Sequence, residues 1–151
     1  MRERQAGAGA GRARDFESFV AGAGGRLLHT ATLLTAEAPD DNPRARCLLT
    51  RALAHTYASW GRLRDDDPYD HVRRRIATRF ARETWRGHAP LLPRARPPLH
   101  GALAVLPPRE RLVVVLALYE GVAEEQTAAL LGLPAQRVHV LCDRAVAALV
   151  R

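Results

Sequence analysis

Six arginines and a tryptophan lie close together in one stretch of the sequence. A guanidinium group forms paired hydrogen bonds with phosphate oxygens, and an aromatic ring stacks on an unpaired base. Only one acid, Glu83, accompanies them between residues 73 and 86. The stretch therefore favours nucleic-acid contact over a merely solvated helix face, while its tryptophan suits base stacking and core packing equally well. The residues are Arg73, Arg74, Arg75, Arg79, Arg82, Trp85 and Arg86.

A second candidate for nucleic-acid contact is the segment LLGLPAQRVHVLCDRAV, residues 130–146. Gly132 predicts a tight turn, and the apolar spacing after Pro134 predicts a helix, which together are typical of a helix-turn-helix. The segment carries few cations for a DNA reader, although Val140 could contact a thymine methyl group. Its candidate DNA contacts are Gln136, Arg137, His139, Val140 and Arg144.

Charge is unevenly distributed along the 151 residues. All 23 basic residues are arginines, and the formal net charge is +7. Residues 99–151 contain five arginines and five acids, so the positive excess belongs to the first part of the chain. Because attraction to phosphate follows charge, we expect non-specific affinity for nucleic acid mainly in that first part.

Other site chemistries find little support in the sequence. It contains no convincing nucleophile–base set or paired carboxylates, so we expect no enzymatic activity. Cys47 and Cys142 lie far apart in apolar surroundings and are expected to be reduced, buried thiols of a cytoplasmic protein. The scattered histidines predict no metal or cofactor, and Asp67 suits a helix cap better than a cation site. No apolar run is long enough to span a membrane.

The segments that must position these residues are helical. Apolar residues recur at helical spacing, and no segment alternates as a strand does. We predict an all-α protein of two small lobes, residues 15–86 and residues 99–151, joined by a proline-rich linker over residues 87–98. A disordered basic arm is expected over residues 1–14. The predicted helices cover residues 15–34, 43–60, 68–86, 99–104, 107–120, 123–131 and 134–150.

Both lobes resemble parts of one protein family, over about residues 15–149. The first resembles region two of the extracytoplasmic-function sigma factors of bacterial RNA polymerase, small actinobacterial type, in DFESFV, LLHTATLLT and RALAHTYASWGRLRDDDPYDHVRRRIATRFARETWR. The second resembles region four in LAVLPPRERLVVVLALYEGVAEEQTAALLGLPAQRVHVL. The resemblance implies a dissociable subunit that directs core RNA polymerase to promoter DNA. An anti-sigma or other regulatory protein is a further expected partner.

The resemblance also implies that one face of the second helix contacts the clamp of the polymerase, through Cys47, Thr50, Arg51 and His55. The family usually carries an Asp-x-Val-Gln-Glu type of motif there. In this sequence Cys47, Thr50 and Arg51 stand at its first acid, its glutamine and its last acid. We therefore predict weakened polymerase binding. The alternative is that this face is solvated and that the clamp is held elsewhere, by Arg62, Arg64 or Tyr57.

The helix-turn-helix departs from the family pattern as well. Four positions that are usually polar in its second helix are taken by Pro134, His139, Val140 and Leu141, and Ala123 stands where a capping serine commonly opens the preceding helix. The function expected first is a sigma-factor-like transcription initiation factor. The alternative is a degenerate relative that regulates transcription through protein–protein contacts without recruiting polymerase.

Overall fold

The structure, a computed structural model, describes residues 1–85 and 99–151. Apart from one isolated bridge between Ala38 and Asp41, these residues form helices and their connections, which confirms the predicted all-α class. Arg86 and the predicted linker, residues 87–98, lie outside the described residues. In the part of the chain that the structure describes, no helix is both long and apolar enough to cross a membrane.

Three helices form the first lobe: α1 (Arg2–Thr35), α2 (Pro43–Ala58) and α3 (Pro68–Trp85). They pack around an apolar core, as their helical spacing predicts. The most deeply buried members of this core include six side chains that are each less than 5% exposed: Leu27, Leu34, Leu48, Val72, Ile76 and Phe80.

The first 14 residues continue α1 and do not form the predicted disordered arm. Most of their side chains are exposed, and this lack of burial is why the sequence favoured disorder. Alanine and arginine are strong helix formers, and extending an existing helix costs far less than nucleating one. Glu3 in the first turn adds a favourable interaction with the positive end of the helix dipole.

The end of α2 also differs from the prediction. The helix ends at Ala58, and Trp60 begins a short 3-10 turn (Trp60–Arg62). Tyr57, in the last turn of α2, is 42% exposed. Both rings pack on Phe16 of α1, with centroid distances of 4.9 Å for Tyr57 and 5.3 Å for Trp60. Tyr57, Trp60 and Phe16 therefore form an aromatic cluster beside the end of α2.

The second lobe begins with a 3-10 turn (Ala102–Val105) where the sequence predicted a helix over residues 99–104. It continues with α4 (Pro108–Val114), α5 (Glu124–Leu131) and α6 (Ala135–Leu149). A π-helical turn, Val115–Tyr119, extends α4, and in it the Glu120 amide donates to the Val115 carbonyl at 3.0 Å.

The two lobes share one apolar core. Leu112, Val115 and Leu116 of the second lobe are at most 1% exposed and pack in the same cluster as the first-lobe core. Arg111 is buried beside them, although a lone arginine is seldom buried without partners. Its guanidinium donates to the carbonyl oxygens of Leu34 at 2.7 Å and Leu106 at 3.1 Å, while its burial lowers its pKa. Arg111 therefore links the end of α1 to the start of α4.

Candidate nucleic-acid interface

Helix α3 presents the arginine row of the sequence. Asp67 caps its start, because the Tyr69 amide donates to the Asp67 carboxylate at 3.0 Å and Pro68 occupies the first helical position. Buried apolar residues on the inner face fix the rotation of the helix about its axis. The arginines therefore lie on the remaining faces: Arg74, Arg75 and Arg82 are exposed, whereas Arg73 and Arg79 are half-buried.

Acidic neighbours neutralise part of this row. The Arg74 guanidinium lies 3.1 Å from an Asp70 oxygen, and that of Arg79 lies 3.1 Å from Glu83. Arg75 and Arg82 have no carboxylate within 4.0 Å among the described residues. These two side chains are thus the most available to an external anion.

Arg73 is committed to the junction between the lobes. It pairs with Asp70 on its own helix and with Glu120 of the second lobe at 3.4 Å, and its side chain is only 17% exposed. The structure therefore separates Arg73 from the exposed arginines of α3, Arg74, Arg75 and Arg82, with which the sequence grouped it. These three are the outward arginines of α3.

Glu120 is the centre of that junction and was not singled out from the sequence. Its carboxylate is fully buried and accepts hydrogen bonds from the Thr30 hydroxyl and, at 2.7 Å, from the Tyr69 hydroxyl. The Arg26 guanidinium lies 3.7 Å away. Burial, together with the bond to this carboxylate, raises the pKa of Tyr69 to about 12. A buried anion is thus held by groups from α1 and α3 of the other lobe.

Trp85 lies at the end of α3 and packs against the shared core. The ring is half-buried, and its indole nitrogen is buried without a hydrogen-bond partner among the described residues. The Arg109 guanidinium stands 5.0 Å from the ring centroid, so it already covers part of the ring. This environment favours packing over base stacking for Trp85.

The helix-turn-helix consists of α5, a turn and α6. Gly132 takes the left-handed conformation at the turn, with φ 66°, which favours glycine. Val138, Leu141 and Ala145 are buried on the inner face of α6. The candidate contacts Gln136, Arg137, His139 and Arg144 are exposed, and Val140 is half-buried.

Acids lie close to two of the candidate contacts on α6, His139 and Arg144, whereas Arg137 has no carboxylate within 4.0 Å among the described residues. Nδ1 of His139 lies 3.0 Å from Glu124, and its Nε2 lies 3.3 Å from Asp143. The hydrogen bond to Glu124 and the nearby Asp143 raise the pKa of His139. The Arg144 guanidinium stands 3.7 Å from Glu110. These acids reduce the attraction of α6 for phosphate, which agrees with the neutral charge of residues 99–151.

The outer face of α2 holds the candidate polymerase contacts. Thr50, Arg51 and His55 are exposed, and Cys47 is half-buried. Cys47 and Cys142 are both free thiols, and they are half-buried rather than buried as expected. The partial burial of Cys142 raises the pKa of its thiol.

A cleft of about 520 Å³ lies between α2 and α3. It is lined by Arg51 and His55 of α2 and by Arg74, Arg75, Arg79 and Arg82 of α3. The structure thus brings four of the α3 arginines together with two of the α2 candidates. The candidates on α6 do not line this cleft.

The chain is similar in sequence to known proteins. Residues 102–150 match the model of Sigma-70, region 4. The RNA polymerase sigma-E factor of Streptomyces coelicolor is 33% identical over 156 residues, which cover 92% of this chain and 86% of that protein. The sigma-E factors of Streptomyces antibioticus and Streptomyces avermitilis are also 33% identical, over 84% and 85% of their lengths. No solved structure matches. The chain therefore belongs to the extracytoplasmic-function sigma factors of bacterial RNA polymerase, which are transcription initiation factors.

Proposed function

We propose that this sigma factor holds promoter DNA mainly through the outward arginines of α3 and only secondarily through α6. The observation that carries the proposal is the difference in charge compensation between the two helices. Two exposed arginines of α3, Arg75 and Arg82, have no carboxylate partner among the described residues. On α6 only Arg137 lacks one, because acids stand within 4.0 Å of both His139 and Arg144. Free guanidinium groups release counterions from DNA when they bind its phosphates, so they contribute most of the sequence-independent affinity.

Base-specific contact is left to α6 in this proposal. Gln136, Arg137 and Val140 project from the first turns of the helix, and residues of a recognition helix near its start usually face base edges. Gln136 can pair with an adenine edge, and Val140 can pack on a thymine methyl group. Trp85 is assigned to packing, in keeping with its contacts to the core and Arg109.

The salt dependence of DNA binding tests this division of roles. Each phosphate contact adds about 0.9 to the slope of log affinity against log salt concentration on duplex DNA. We expect Arg74→Ala, Arg75→Ala and Arg82→Ala together to flatten that slope by about 2. Arg137→Ala with Arg144→Ala should flatten it by less than 1, and fluorescence anisotropy with a labelled duplex measures both.

Circular dichroism of the two variants provides the folding control, since all the substituted side chains are exposed. An equal or larger loss of slope in the α6 variant would show that the pairing of cations with nearby carboxylates does not decide which helix holds the DNA.

We also propose the outer face of α2, with Cys47, Thr50, Arg51 and His55, as the contact with core RNA polymerase. Thr50, Arg51 and His55 are exposed and therefore open to a partner. An anti-sigma or other regulatory protein that covers the same face would compete with polymerase, so we propose this face for such a partner too. The similarity to sigma-E factors over 92% of the chain does not favour the alternative of a relative that no longer recruits polymerase.

A further inference from the structure

The cleft between α2 and α3 has two walls of like charge. Arg51 and His55 come from α2, and Arg74, Arg75, Arg79 and Arg82 come from α3. The floor includes Leu48 and Ala52, which are both 4% exposed, and Leu130 of α5 also lines the cleft.

No carboxylate lines this cleft among the described residues. Asp70 and Glu83 pair with Arg74 and Arg79, which leaves Arg51 with the uncompensated Arg75 and Arg82. Like charges that face one another repel, so a bound anion would stabilise both walls at once. Guanidinium groups on two sides suit a ligand with several phosphate oxygens in a small volume.

The volume of about 520 Å³ lies within the usual range of small-molecule sites. A DNA strand lying along the outside of α3 would not need the α2 wall or a concave floor. We propose that the cleft binds a small oligophosphate, an anion with two or more adjacent phosphate groups, which is held between Arg51 on one wall and Arg75 with Arg82 on the other. This site goes beyond the proposed DNA contact, because Arg51 does not belong to the α3 row.

Isothermal titration calorimetry with inorganic tripolyphosphate tests the proposal on the full-length protein. We expect saturable binding with one ligand per chain. Arg51→Ala and Arg75→Ala should each raise the dissociation constant about tenfold, as expected for the loss of one charge-assisted contact. Arg12→Ala, which removes an exposed arginine of α1, is the matched control and should change it less than twofold.

Two further ligands separate the possible sources of phosphate. Adenosine triphosphate should also bind, because it carries the same chain of three phosphates. A single-stranded oligonucleotide with three phosphates should bind more weakly at the same ionic strength. Binding of the oligonucleotide alone, or unchanged tripolyphosphate affinity in Arg51→Ala, would overturn the proposal whether or not the α3 row holds duplex DNA.

His71 provides a second readout inside the cleft. Its ring lies 2.8 Å from the Thr56 hydroxyl, and burial together with Arg74 and Arg75 lowers its pKa. A bound anion would offset the arginines, so the His71 pKa measured by NMR should rise when tripolyphosphate is added. The pKa of His139, which does not line the cleft, should stay constant in the same titration. Equal shifts at both histidines would indicate general screening and would contradict a site in the cleft.

Discussion

Arg51 reverses the charge at a position where the sigma-factor motif carries an acid. It is exposed on α2, and Cys47 and Thr50 stand at two further polar positions of that motif. Loss of one partner from a buried charged contact costs about 2–5 kcal/mol, and a reversed charge adds repulsion. At 1.4 kcal/mol per tenfold change, even the lower figure weakens binding by more than an order of magnitude. Under the proposed contact between α2 and polymerase, we therefore expect these three side chains to lower the affinity for polymerase.

We predict that Cys47→Asp, Thr50→Gln and Arg51→Glu together strengthen binding to core RNA polymerase at least tenfold, because they restore the polar pattern of the motif. A pull-down titration of the wild-type protein and the triple variant measures the change. Arg12→Glu makes the same charge change on the exposed face of α1 and should leave the affinity nearly unchanged. Equal, tight binding by wild type and triple variant would show that the clamp does not contact this face.

Helix ends show how differently the elements of this fold are stabilised. Asp67 accepts a hydrogen bond from the first turn of α3. The Glu37 carboxylate accepts the amides of Arg44, at 3.1 Å, and Ala45, at 2.8 Å, in the first turn of α2. Ala123 opens α5 with extended backbone angles and no side-chain cap. Only α5 of these three lacks an acceptor for its first amides from a capping side chain.

We predict that Ala123→Ser raises the free energy of unfolding by about 1 kcal/mol, since a serine oxygen can accept an amide of the first turn. Asp67→Ala should lower it by a similar amount. Urea denaturation followed by circular dichroism measures both changes. Ala129→Ser, at an exposed position inside α5, is the control and should give no stabilisation. A gain in that variant as large as in Ala123→Ser would rule out capping as the cause.

Most helix positions could be predicted from the sequence, because proline, glycine and apolar spacing act locally. The caps were less predictable. Asp67 stands next to Pro68 and could be recognised, whereas Glu37 reaches α2 across a connection of several residues, so spacing gives no sign of its role. The helical conformation of the first 14 residues could not be predicted from their composition. Their few apolar side chains indicate little burial, but a helix can extend beyond the residues that pack in the core.

The whole molecule is held together by contacts between residues far apart in sequence. Thr30 and Tyr69 donate to Glu120 from 90 and 51 positions away, and Arg111 reaches the Leu34 carbonyl across 77. A charged residue normally indicates an exposed position, so the sequence placed neither Glu120 nor Arg111 in a junction. The outward arginines of α3 could be predicted from composition, but the separation of Arg73 from them could not, since it depends on this long-range pairing.

We predict that Glu120→Ala lowers the free energy of unfolding by about 3 kcal/mol. The substitution leaves Arg73 without one of its acids, and it removes the buried carboxylate that accepts hydrogen bonds from the Thr30 and Tyr69 hydroxyls. Urea denaturation should show one transition for the wild-type protein, since both lobes contribute to one core. Glu17→Ala, at an exposed position of α1, should change stability by less than 0.5 kcal/mol. Two separate transitions in the wild type would contradict the joint unfolding of the lobes.

The shared core also determines how often the lobes come apart. Separation would expose Leu112, Val115 and Leu116 to water, at about 1.5–3 kcal/mol for each side chain, or at least about 4.5 kcal/mol in total from the apolar term alone. That free energy corresponds to an open fraction of fewer than one molecule in a thousand. A partner that binds only the open form therefore has an apparent affinity lowered by this fraction. Replacing any of these three side chains by alanine would lower the free energy of opening and would therefore raise that apparent affinity.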